Sequence, residues 1–504
     1  MTRWHVWLAF MAGLPAAVTA QDTTAQRTPA ASLTLAEALS TARANSPLYR
    51  QTLNDAGPAR WGVRSAYGAL LPQADASLGF GYTGSGRSNF GGTTFSQTSP
   101  SYNSSYSIGL QMQISGRTLS APGQMKALAR ATDAEIGAAG TELKQSITTQ
   151  YLQALQANAQ VGVARQQVSR NEDFLKLAQA RYQVGQATLL DVRQAEVTKG
   201  TSEVSLLRAI QTENEAKLEL LRRMGVAAPV AIDQLRLTDS FPVVAPEFKL
   251  EELLATAAEH NPALKALEAR RSAASATVHA AKSDFLPTLS LSAGWNGFTQ
   301  QFTNEGLLLG QALSGAQGQY QSCLDNNVIR QSAGLATTPD CLASSGLLSP
   351  SELDPTLAGG IRSSNDVFPF SFARQPFSAR ATLSLPIFTG FTRHLRLAEA
   401  QAQRDDAEES VRARGLQVRT DVQGRFLALE TAYRTIAVQQ TSRDAAREQL
   451  RLAQDRYRLG SGTALELSDA QNAIQRAEGD YVNAIYSYHI ALADLELAVG
   501  QSLR

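Results

Sequence analysis

Four segments of the chain alternate apolar residues with small polar ones at a period of two. They lie at about 73–82, 105–115, 288–297 and 377–387. A period-two pattern over about ten residues is typical of a half-buried β-strand. A soluble sandwich would show the same alternation, with one face on a core and the other in water. Two features favour membrane strands: a length of roughly 9–11 residues, which crosses a bilayer at a tilt, and aromatic residues near the strand ends.

Two much longer segments, 121–182 and 391–458, carry apolar residues at every seventh position. The first series is Ile147, Ala154, Val161, Val168, Leu175 and Tyr182, and the second is Val422, Leu429, Ile436, Leu450 and Tyr457. Arg443 is the polar interruption of the second series. Such a repeat predicts helices that pack side by side, and about 60 residues make a helix of roughly 90 Å. A free-standing coiled-coil stalk would show the same repeat.

The chain repeats its own pattern, as in a tandem duplication. Residues 33–82 align without a gap with 248–297, and Arg181-Tyr182-Gln183-Val184-Gly185 reappears as Arg456-Tyr457-Arg458-Leu459-Gly460. We therefore predict two structural repeats, 33–247 and 248–500, each with the order helix, strand, loop, strand, very long helix, glycine turn and helix. The remaining predicted segments are a turn at 183–188, helix 189–224, helix 250–284, a long loop at 299–376, a turn at 459–463 and helix 464–499.

Residues 1–20 have the features of a signal peptide: the basic Arg3, an apolar stretch, and small residues at 18–20 before Gln21. A first transmembrane helix is the weaker interpretation, because the apolar run is short and contains Pro15. Beyond residue 20 the sequence has no run of 18 apolar residues. We therefore expect that any membrane insertion uses the strands.

Charge and composition exclude several classes of function. The 504 residues include 46 Lys+Arg and 45 Asp+Glu, which leaves no basic excess for a nucleic acid. Five scattered histidines and two cysteines predict neither a metal site nor a cofactor. Residues 79–84 match G-x-G-x-x-G but lead into a Gly/Ser loop, so the helix that would bind a phosphate is missing. No nucleophile–base set stands out, and we do not expect an enzyme.

Four strands in one chain cannot close a barrel, and open sheet edges are not tolerated in lipid. Two chains would give eight strands, a barrel whose interior side chains fill. Three chains give twelve strands with room for a passage, and three sets of helices would form a second barrel. The expected fold class is therefore mixed: a twelve-stranded membrane β-barrel plus a long α-helical barrel, made by a homotrimer that contributes four strands per protomer.

Several motifs resemble the TolC family of outer membrane factors. They are the duplication, Leu71-Pro72 and Leu286-Pro287 before strands, Leu385-Pro386-Ile387-Phe388-Thr389-Gly390, and the paired Arg-Tyr-x-x-Gly turns. The resemblance covers nearly all of the chain beyond residue 20. It implies a trimer in the lipid of a Gram-negative outer membrane, with a helical tunnel in the periplasm. The tunnel would dock onto an adaptor (membrane fusion) protein and an inner-membrane pump or ABC exporter.

The resemblance implies a passive exit duct for efflux or type I secretion. Drugs, metals and proteins are all substrates within the family, and the sequence does not separate them. The alternative of a different class is a trimeric surface or structural protein, a coiled-coil stalk with a barrel anchor and no transport. That alternative would place the long helices outside the cell.

The two glycine turns carry the candidate site. After Gly185 and Gly460, each turn restarts a helix with Thr188 or Thr463 in a Thr-x-x-acid motif. By the resemblance, these turns dock the adaptor. The motif is equally that of a capping box, which satisfies free amides at a helix start.

Further roles follow from the resemblance. Glu466 and Asp469 fall where acidic rings line the periplasmic entrance, and three copies would favour cations. Asp191 and Tyr457 match positions that latch neighbouring tips shut. The best-studied latch also uses an arginine, where this chain has Gly462. Either the latch is weaker here or another cation supplies it, for which the candidates are Arg193 and Arg458.

The loop 299–376 contains both cysteines of the chain, Cys323 and Cys341. In an oxidising compartment the default expectation is a disulfide, which stabilises the fold by roughly 3 kcal/mol on the chain-entropy model. Two free thiols are the alternative. For the loop itself three interpretations stay open: a lid, an outward-facing decoration recognised by phage or antibody, and a neutral insertion.

Overall fold

The computed structural model describes residues 32–90, 93–228 and 231–503. The predicted signal peptide at 1–20 lies outside these ranges. Contacts divide the chain into two compact units. The helical unit comprises the residues up to Val63, Gly123–Val278 and Ala398–Arg504, and the strand unit comprises Arg64–Pro122 and His279–Leu397.

The elements are named in chain order. The helices are α1 Leu35–Asn45, α2 Pro47–Asn54, α3 Ala56–Gly68, α4 Gly116–Gln183, α5 Leu189–Met224, α6 Leu250–His260, α7 Pro262–Ser283, α8 Glu305–Ser332, α9 Cys341–Ser344, α10 Pro355–Asn365, α11 Thr392–Arg458 and α12 Ala464–Val499. The strands are β1 Ser32–Leu33, β2 Gln73–Thr83, β3 Gly86–Phe90, β4 Thr93–Thr98, β5 Ser101–Ile114, β6 Arg236–Leu237, β7 Thr288–Phe302, β8 Leu347–Ser349, β9 Glu352–Leu353, β10 Ala373–Arg374 and β11 Ser378–Ser384. Over the described residues, no helix combines the length and hydropathy that a membrane span requires.

Four antiparallel strands form the main sheet of the strand unit, in the spatial order β2, β5, β7 and β11. The short β10 pairs with β7 beyond the end of β11. Opposed residues share a face of a sheet and successive residues alternate between faces. One face is therefore apolar and contains Leu78, Phe80, Tyr82, Tyr102, Tyr106, Ile108, Leu110, Trp295 and Leu383. The other is mainly polar and contains Gln73, Asp75, Ser77, Ser107, Gln111, Gln113, Ser290, Ser292, Asn296, Arg380 and Thr382, with Phe298 and Phe302 near the end of β7.

The inner strands are longer than the sequence predicts. β5 begins before the expected residue 105, and β7 continues past the expected residue 297. The two extensions pair with each other as far as Ser101 opposite Phe302. The run Asn103-Ser104-Ser105 is polar throughout, which hides the alternation there. The fourth strand, expected at 377–387, ends at Ser384, because Pro386 has no amide to donate to a ladder.

The segment 299–376, expected to be a loop, contains a folded insertion. It includes helices α8, α9 and α10 and the hairpin β8–β9. A disulfide joins Cys323 on α8 to Cys341 at the start of α9, with a Cα–Cα distance of 5.7 Å. Gly, Ser and Asn are frequent in this segment and favour turns over helices, so its helices are hard to predict. The segment between the first two predicted strands likewise contains the hairpin β3–β4.

The two repeats contain long helices of nearly equal length. α4 has 68 residues and α11 has 67, while α5 and α12 have 36 each. The bounds of α5 and α12 are those expected from the sequence. The first turn is 184–188, one residue shorter than expected, and the second is 459–463, as expected.

The helix expected at 250–284 is two helices, α6 and α7, separated at Asn261. Asn261 has φ −60° and ψ 118°, because the residue before a proline avoids the helical region. Pro262 then begins α7, and the Asn261 side chain accepts a hydrogen bond from the Leu264 amide at 3.0 Å. The first repeat breaks in the same way at Ser46, before Pro47.

Each break receives the end of another helix. α5 ends at Gly225, with φ 75°, against the Asn45 carbonyl, and α12 ends at Gly500, with φ 83°, against the His260 carbonyl. The surrounding cores repeat as well. The first contains Ala38, Ala42, Ile147, Leu220 and Met224, and the second contains Leu253, Ala257, Val422, Leu495 and Val499. Equivalent positions of the two halves thus make equivalent packing.

Candidate functional site at the two glycine turns

Two left-handed glycines turn the chain between its paired long helices. Gly185 has φ 76° and Gly460 has φ 82°, conformations that residues with a side chain rarely adopt. The Gly185 amide donates to the Tyr182 carbonyl at 3.0 Å, and the Gly460 amide donates to the Tyr457 carbonyl at 3.2 Å. These hydrogen bonds provide partners for carbonyl groups in the last turns of α4 and α11, which would otherwise be free.

Thr188 and Thr463 begin the helices that follow. The Thr188 hydroxyl accepts from the Asp191 amide at 3.3 Å, and the Asp191 carboxylate accepts from the Thr188 amide at 2.8 Å. This reciprocal pair is a capping box, so Asp191 serves the start of its own helix. Thr463 accepts from the Glu466 amide at 3.1 Å, while the Glu466 carboxylate lies 3.5 Å from the Arg456 guanidinium.

Tyr457 is buried in a cluster that the ends of α4, α5, α11 and α12 form. Its side chain is 3% exposed, against 46% for Tyr182 at the equivalent position. The Phe174 ring packs edge-on against it, with the ring centroids 5.6 Å apart. The Tyr457 hydroxyl is buried and has no hydrogen-bond partner within the described part of the chain. Burial raises the pKa of this hydroxyl, the charge of Asp191 raises it further, and Arg181 partly offsets both.

Arg181 connects the two turns. Its guanidinium lies 4.5 Å from the Tyr457 ring centroid and donates to the Tyr457 carbonyl. It also donates to the Gln186 carbonyl at 2.9 Å. The equivalent Arg456 instead donates to the Ser461 carbonyl of its own turn, at 3.3 Å. Sequence reasoning missed Arg181 as a site residue, although the repeated Arg-Tyr-x-x-Gly motif contains it.

The cations considered as substitutes for the latch arginine have other partners. Arg193 lies 2.7 Å from the Glu196 carboxylate, and Arg458 lies 3.9 Å from that of Asp455. Gly462 also has little space for a side chain, because a Cβ there would lie 3.1 Å from a backbone nitrogen of α11. The guanidinium that contacts Tyr457 belongs to Arg181 and not to either of the two candidates, Arg193 and Arg458.

The two carboxylates expected at a gate have different surroundings. The Glu466 charge is partly offset by Arg456, although both side chains are about half exposed. Asp469 is exposed one turn further along α12, and within the described part of the chain it takes part in no ion pair. Of the two, Asp469 therefore contributes the larger uncompensated negative charge.

A buried polar layer lies next to the Tyr457 cluster. Gln167 and Asn171 on α4 are each 1% exposed and hydrogen-bonded to each other at 3.2 Å. Arg170 donates to Gln167 at 2.9 Å and pairs with Glu478 on α12 at 3.1 Å. Buried polar groups need partners of suitable geometry, so this layer fixes how α4 and α12 align. The heptad pattern, which counts only apolar positions, did not reveal it.

Known proteins match the chain at several levels. A profile of the family described as outer membrane efflux protein matches residues 38–226 and 353–501, more than half of the chain. The toluene efflux pump outer membrane protein TtgF of Pseudomonas putida is 28% identical over 268 residues, which cover 51% of this chain and 52% of that protein. The pyoverdine export outer membrane protein OpmQ of Pseudomonas aeruginosa is 26% identical over 315 residues, 58% of this chain and 65% of that protein. The chain thus spans about half the length of the first of these relatives.

A solved structure shares the fold. The CmeC outer membrane channel of Campylobacter jejuni aligns with a TM-score of 0.67 at 14% sequence identity, over 92% of this chain and 85% of that chain. At this identity the likeness concerns the fold alone.

Proposed function

Because the chain belongs to the outer membrane efflux protein family, we propose that it is the passive exit duct of a tripartite transport system. It is an outer membrane protein whose helical part lies in the periplasm. In the proposal, three copies close a twelve-stranded barrel, and an adaptor joins the duct to an inner-membrane pump that supplies the energy. TtgF and OpmQ are named for toluene efflux and pyoverdine export, which favours small molecules over secreted proteins as substrates.

The observation that carries the proposal is the open sheet of the strand unit. β2 and β11 each have one edge without a partner strand in the described part of the chain. One sheet face is apolar and exposed, and the other is mainly polar. Unpaired edges are not tolerated in lipid, so copies of the sheet must join edge to edge. Three copies give twelve strands, with the apolar face outward and the polar face around a passage.

The two edge strands carry opposite charges on the same face. Along β2, β5, β7 and β11 the charged residues are Asp75 and Arg380. β11 has 7 residues and β2 has 11. An antiparallel pairing that uses all of β11 and keeps the two polar faces on the same side allows three registers, in which Arg380 lies opposite residue 77, 79 or 81 of the partner subunit's β2. Opposite Ser77 it is also diagonal to Asp75, a spacing that a long side chain can reach. Charge attraction therefore favours the register with Ser77.

Apolar stripes on the long helices also need partners. On α5 the exposed residues Leu190, Val197 and Val204 are seven positions apart. On α11 the exposed Val438 and Leu452 are separated by two seven-residue intervals. The exposed Leu459, which directly follows the end of α11, lies one further interval along. Seven-residue stripes pack against other helices. In the proposal they contact the neighbouring protomers and complete the helical tunnel.

The two glycine turns form the proposed docking surface for the adaptor. Around Gly185, Thr188, Gly460 and Thr463, several large apolar side chains are at least half exposed. They are Val184, Leu189, Leu190, Leu459 and Leu465. Exposed apolar groups at the ends of helices are suited to burial against another protein. Asp191 and Tyr457 would then hold the tips together, with Arg181 as their cation, and Glu466 and Asp469 would face the entrance.

Cysteine cross-linking tests the closed barrel and its register. Cys323 and Cys341 form a disulfide, and the described residues include no free cysteine. The Ser77→Cys/Arg380→Cys variant, oxidised in the outer membrane, should give covalently linked trimers on a denaturing gel. The matched control is Gly81→Cys/Arg380→Cys, in which a side chain at residue 81 has open space around it.

The two variants separate the barrel from its register. The control should stay monomeric, because its cysteines are four positions apart along β2 in the favoured register. Linkage in the control but not in the test variant would indicate a different register of β11 on β2 and would still support a closed barrel. Absence of any linked species, for either pair and for Gly79→Cys/Arg380→Cys, would contradict closure through these edges.

A further inference from the structure

The folded insertion returns to the sheet through a short aromatic segment. Residues 367–372, here called the aromatic strap, connect α10 to β10 and read Val-Phe-Pro-Phe-Ser-Phe. Asn365 fixes the start of the strap, because its side chain accepts from the Phe302 amide and donates to the Phe302 carbonyl, both at 2.9 Å. The strap thus begins next to Phe302, the last residue of β7.

Backbone hydrogen bonds hold the strap against the sheet. The Phe368 amide donates to the Gln301 side-chain carbonyl at 3.0 Å. The Ser104 hydroxyl donates to the Pro369 carbonyl at 2.6 Å. Gln301 is on β7 and Ser104 is on β5. The strap therefore crosses the two inner strands of the sheet, close to the end of β7 and the start of β5.

Aromatic rings of the strap pack on aromatic rings of the sheet. The Phe368 and Tyr102 ring centroids are 5.3 Å apart, and those of Phe372 and Tyr106 are 4.9 Å apart. The Phe370 ring lies edge-on to Phe80 at 6.2 Å. These distances are typical of favourable aromatic pairs.

All of these contacts are on the apolar face of the sheet. Phe80, Tyr102 and Tyr106 alternate along their strands with polar residues of the opposite face, and Ser104 and Gln301 share the apolar face by register. The same face continues with Leu78, Ile108, Leu110 and Trp295, each about half exposed. The strap therefore does not cross the polar face, which a lid over the passage would have to cover.

The strap leaves large apolar rings exposed at this end of the sheet. Phe370 is 68% exposed, and Phe80 and Tyr82 beside it are 55% and 62% exposed. Aromatic residues at the ends of membrane strands favour the boundary between headgroups and acyl chains. The exposed rings are continuous with the apolar face that the proposed barrel presents to hydrocarbon, so the same medium covers both.

We propose that the aromatic strap is a membrane anchor that binds the headgroup–acyl boundary of the bilayer and holds the folded insertion beside the barrel. The inference rests on the proposed function, because it takes the apolar face to meet lipid. It assigns the insertion a place on the outer side of the barrel wall.

Spin labels at three positions test the anchor in the full chain, reconstituted in phospholipid vesicles. The test variant is Phe370→Cys, a position whose high exposure tolerates the label. Ile108→Cys reports the apolar face within β5, and Gln111→Cys reports its polar face. The measured quantity is the ratio of collision rates with oxygen, which concentrates in hydrocarbon, and with a water-soluble nickel chelate. Phe370→Cys should show a ratio between those of the other two variants and clearly above that of Gln111→Cys.

The three labels keep the anchor and the proposed function distinguishable. A ratio at Phe370→Cys equal to that at Gln111→Cys, with a high ratio at Ile108→Cys, would overturn the anchor and leave the barrel intact. Low collision rates with both reagents at Phe370→Cys would place the strap against protein and overturn the anchor as well. A ratio at Ile108→Cys no higher than at Gln111→Cys would overturn the orientation of the barrel, and the anchor with it.

Discussion

Tyr457 and Tyr182 occupy equivalent positions of the duplicated motif but have different surroundings. Tyr457 is buried under the Arg181 guanidinium, whereas Tyr182 is half exposed. Arg181 reaches across to the other turn, whereas Arg456 stays within its own and pairs with Glu466. Two similar halves thus place equivalent arginines in different contacts, and Arg181 is the one whose contacts include both turns.

Replacing Tyr457 by Phe should leave the protein at least as stable at neutral pH. The hydroxyl is buried without a partner in the described residues, and such a group costs about 1–3 kcal/mol. Denaturant unfolding gives the free-energy change, and Tyr182→Phe at the exposed equivalent position is the control. A clear destabilisation by Tyr457→Phe alone would mean that the hydroxyl binds a neighbouring chain, as the latch hypothesis holds.

The same variant should remove a pH dependence. Because the pKa of Tyr457 is raised, the folded protein holds this proton more tightly than the unfolded chain, in which tyrosine titrates near pH 10. The contribution of Tyr457 to stability is thus fully present below about pH 10 and is lost as the pH rises above it. The wild type should lose stability relative to Tyr457→Phe in this range. Parallel curves for the two proteins would contradict the raised pKa.

At the scale of elements, left-handed glycines secure the junction between each long helix pair and the helix break beside it. Gly225→Ala should destabilise the fold by roughly 2 kcal/mol or more, because φ is 75° and the new methyl would overlap the Asn45 carbonyl. Gly200→Ala, inside the same helix and with open space around it, should stabilise it by roughly 0.5–1 kcal/mol. Thermal melting of the two variants measures both. Equal shifts would show that Gly225 has no special role.

The sequence predicted those elements whose signals are local. Gly185 and Thr188 mark the first turn, Gly460 and Thr463 mark the second, and each signal acts within a few residues of its own position. The break before Pro262 is equally local and could have been predicted. The role of Arg181 could not, because its partner Tyr457 is distant in the chain and Arg456 has the same neighbours in sequence.

The folded insertion shows a second limit of prediction. Its helices have many turn-favouring residues and are held by contacts that no periodic pattern records. One is the Cys323–Cys341 disulfide, and another is the pair of hydrogen bonds from Asn365 to Phe302. The sequence could locate this segment and pair its cysteines. It could not show which face of the sheet the returning segment covers, because that depends on the register of β5 and β7.

At the scale of the whole molecule, the exposed apolar side chains of each unit require a surrounding other than water. In the strand unit many of them lie on one face of the sheet, and in the helical unit several form stripes on α5 and α11. A lipid bilayer covers the first and neighbouring protomers cover the second in the proposed trimer. The polar sheet face and the exposed carboxylates near the turns then remain for the passage.

The charge at the entrance should depend more on Asp469 than on Glu466. Asp469 is exposed without an ion pair in the described residues, whereas Arg456 partly offsets the charge of Glu466. Three copies of an uncompensated carboxylate around a narrow mouth favour cations. Reversal potentials of single channels in a planar bilayer under a salt gradient measure this preference. Asp469→Asn should reduce it several-fold, Glu466→Gln should reduce it less, and Arg456→Gln should raise it by freeing the Glu466 carboxylate. If Glu466→Gln had the larger effect, the dominant charge at the entrance would be Glu466 and not Asp469. If Arg456→Gln lowered the preference, Arg456 would not offset the Glu466 carboxylate as the ion pair predicts.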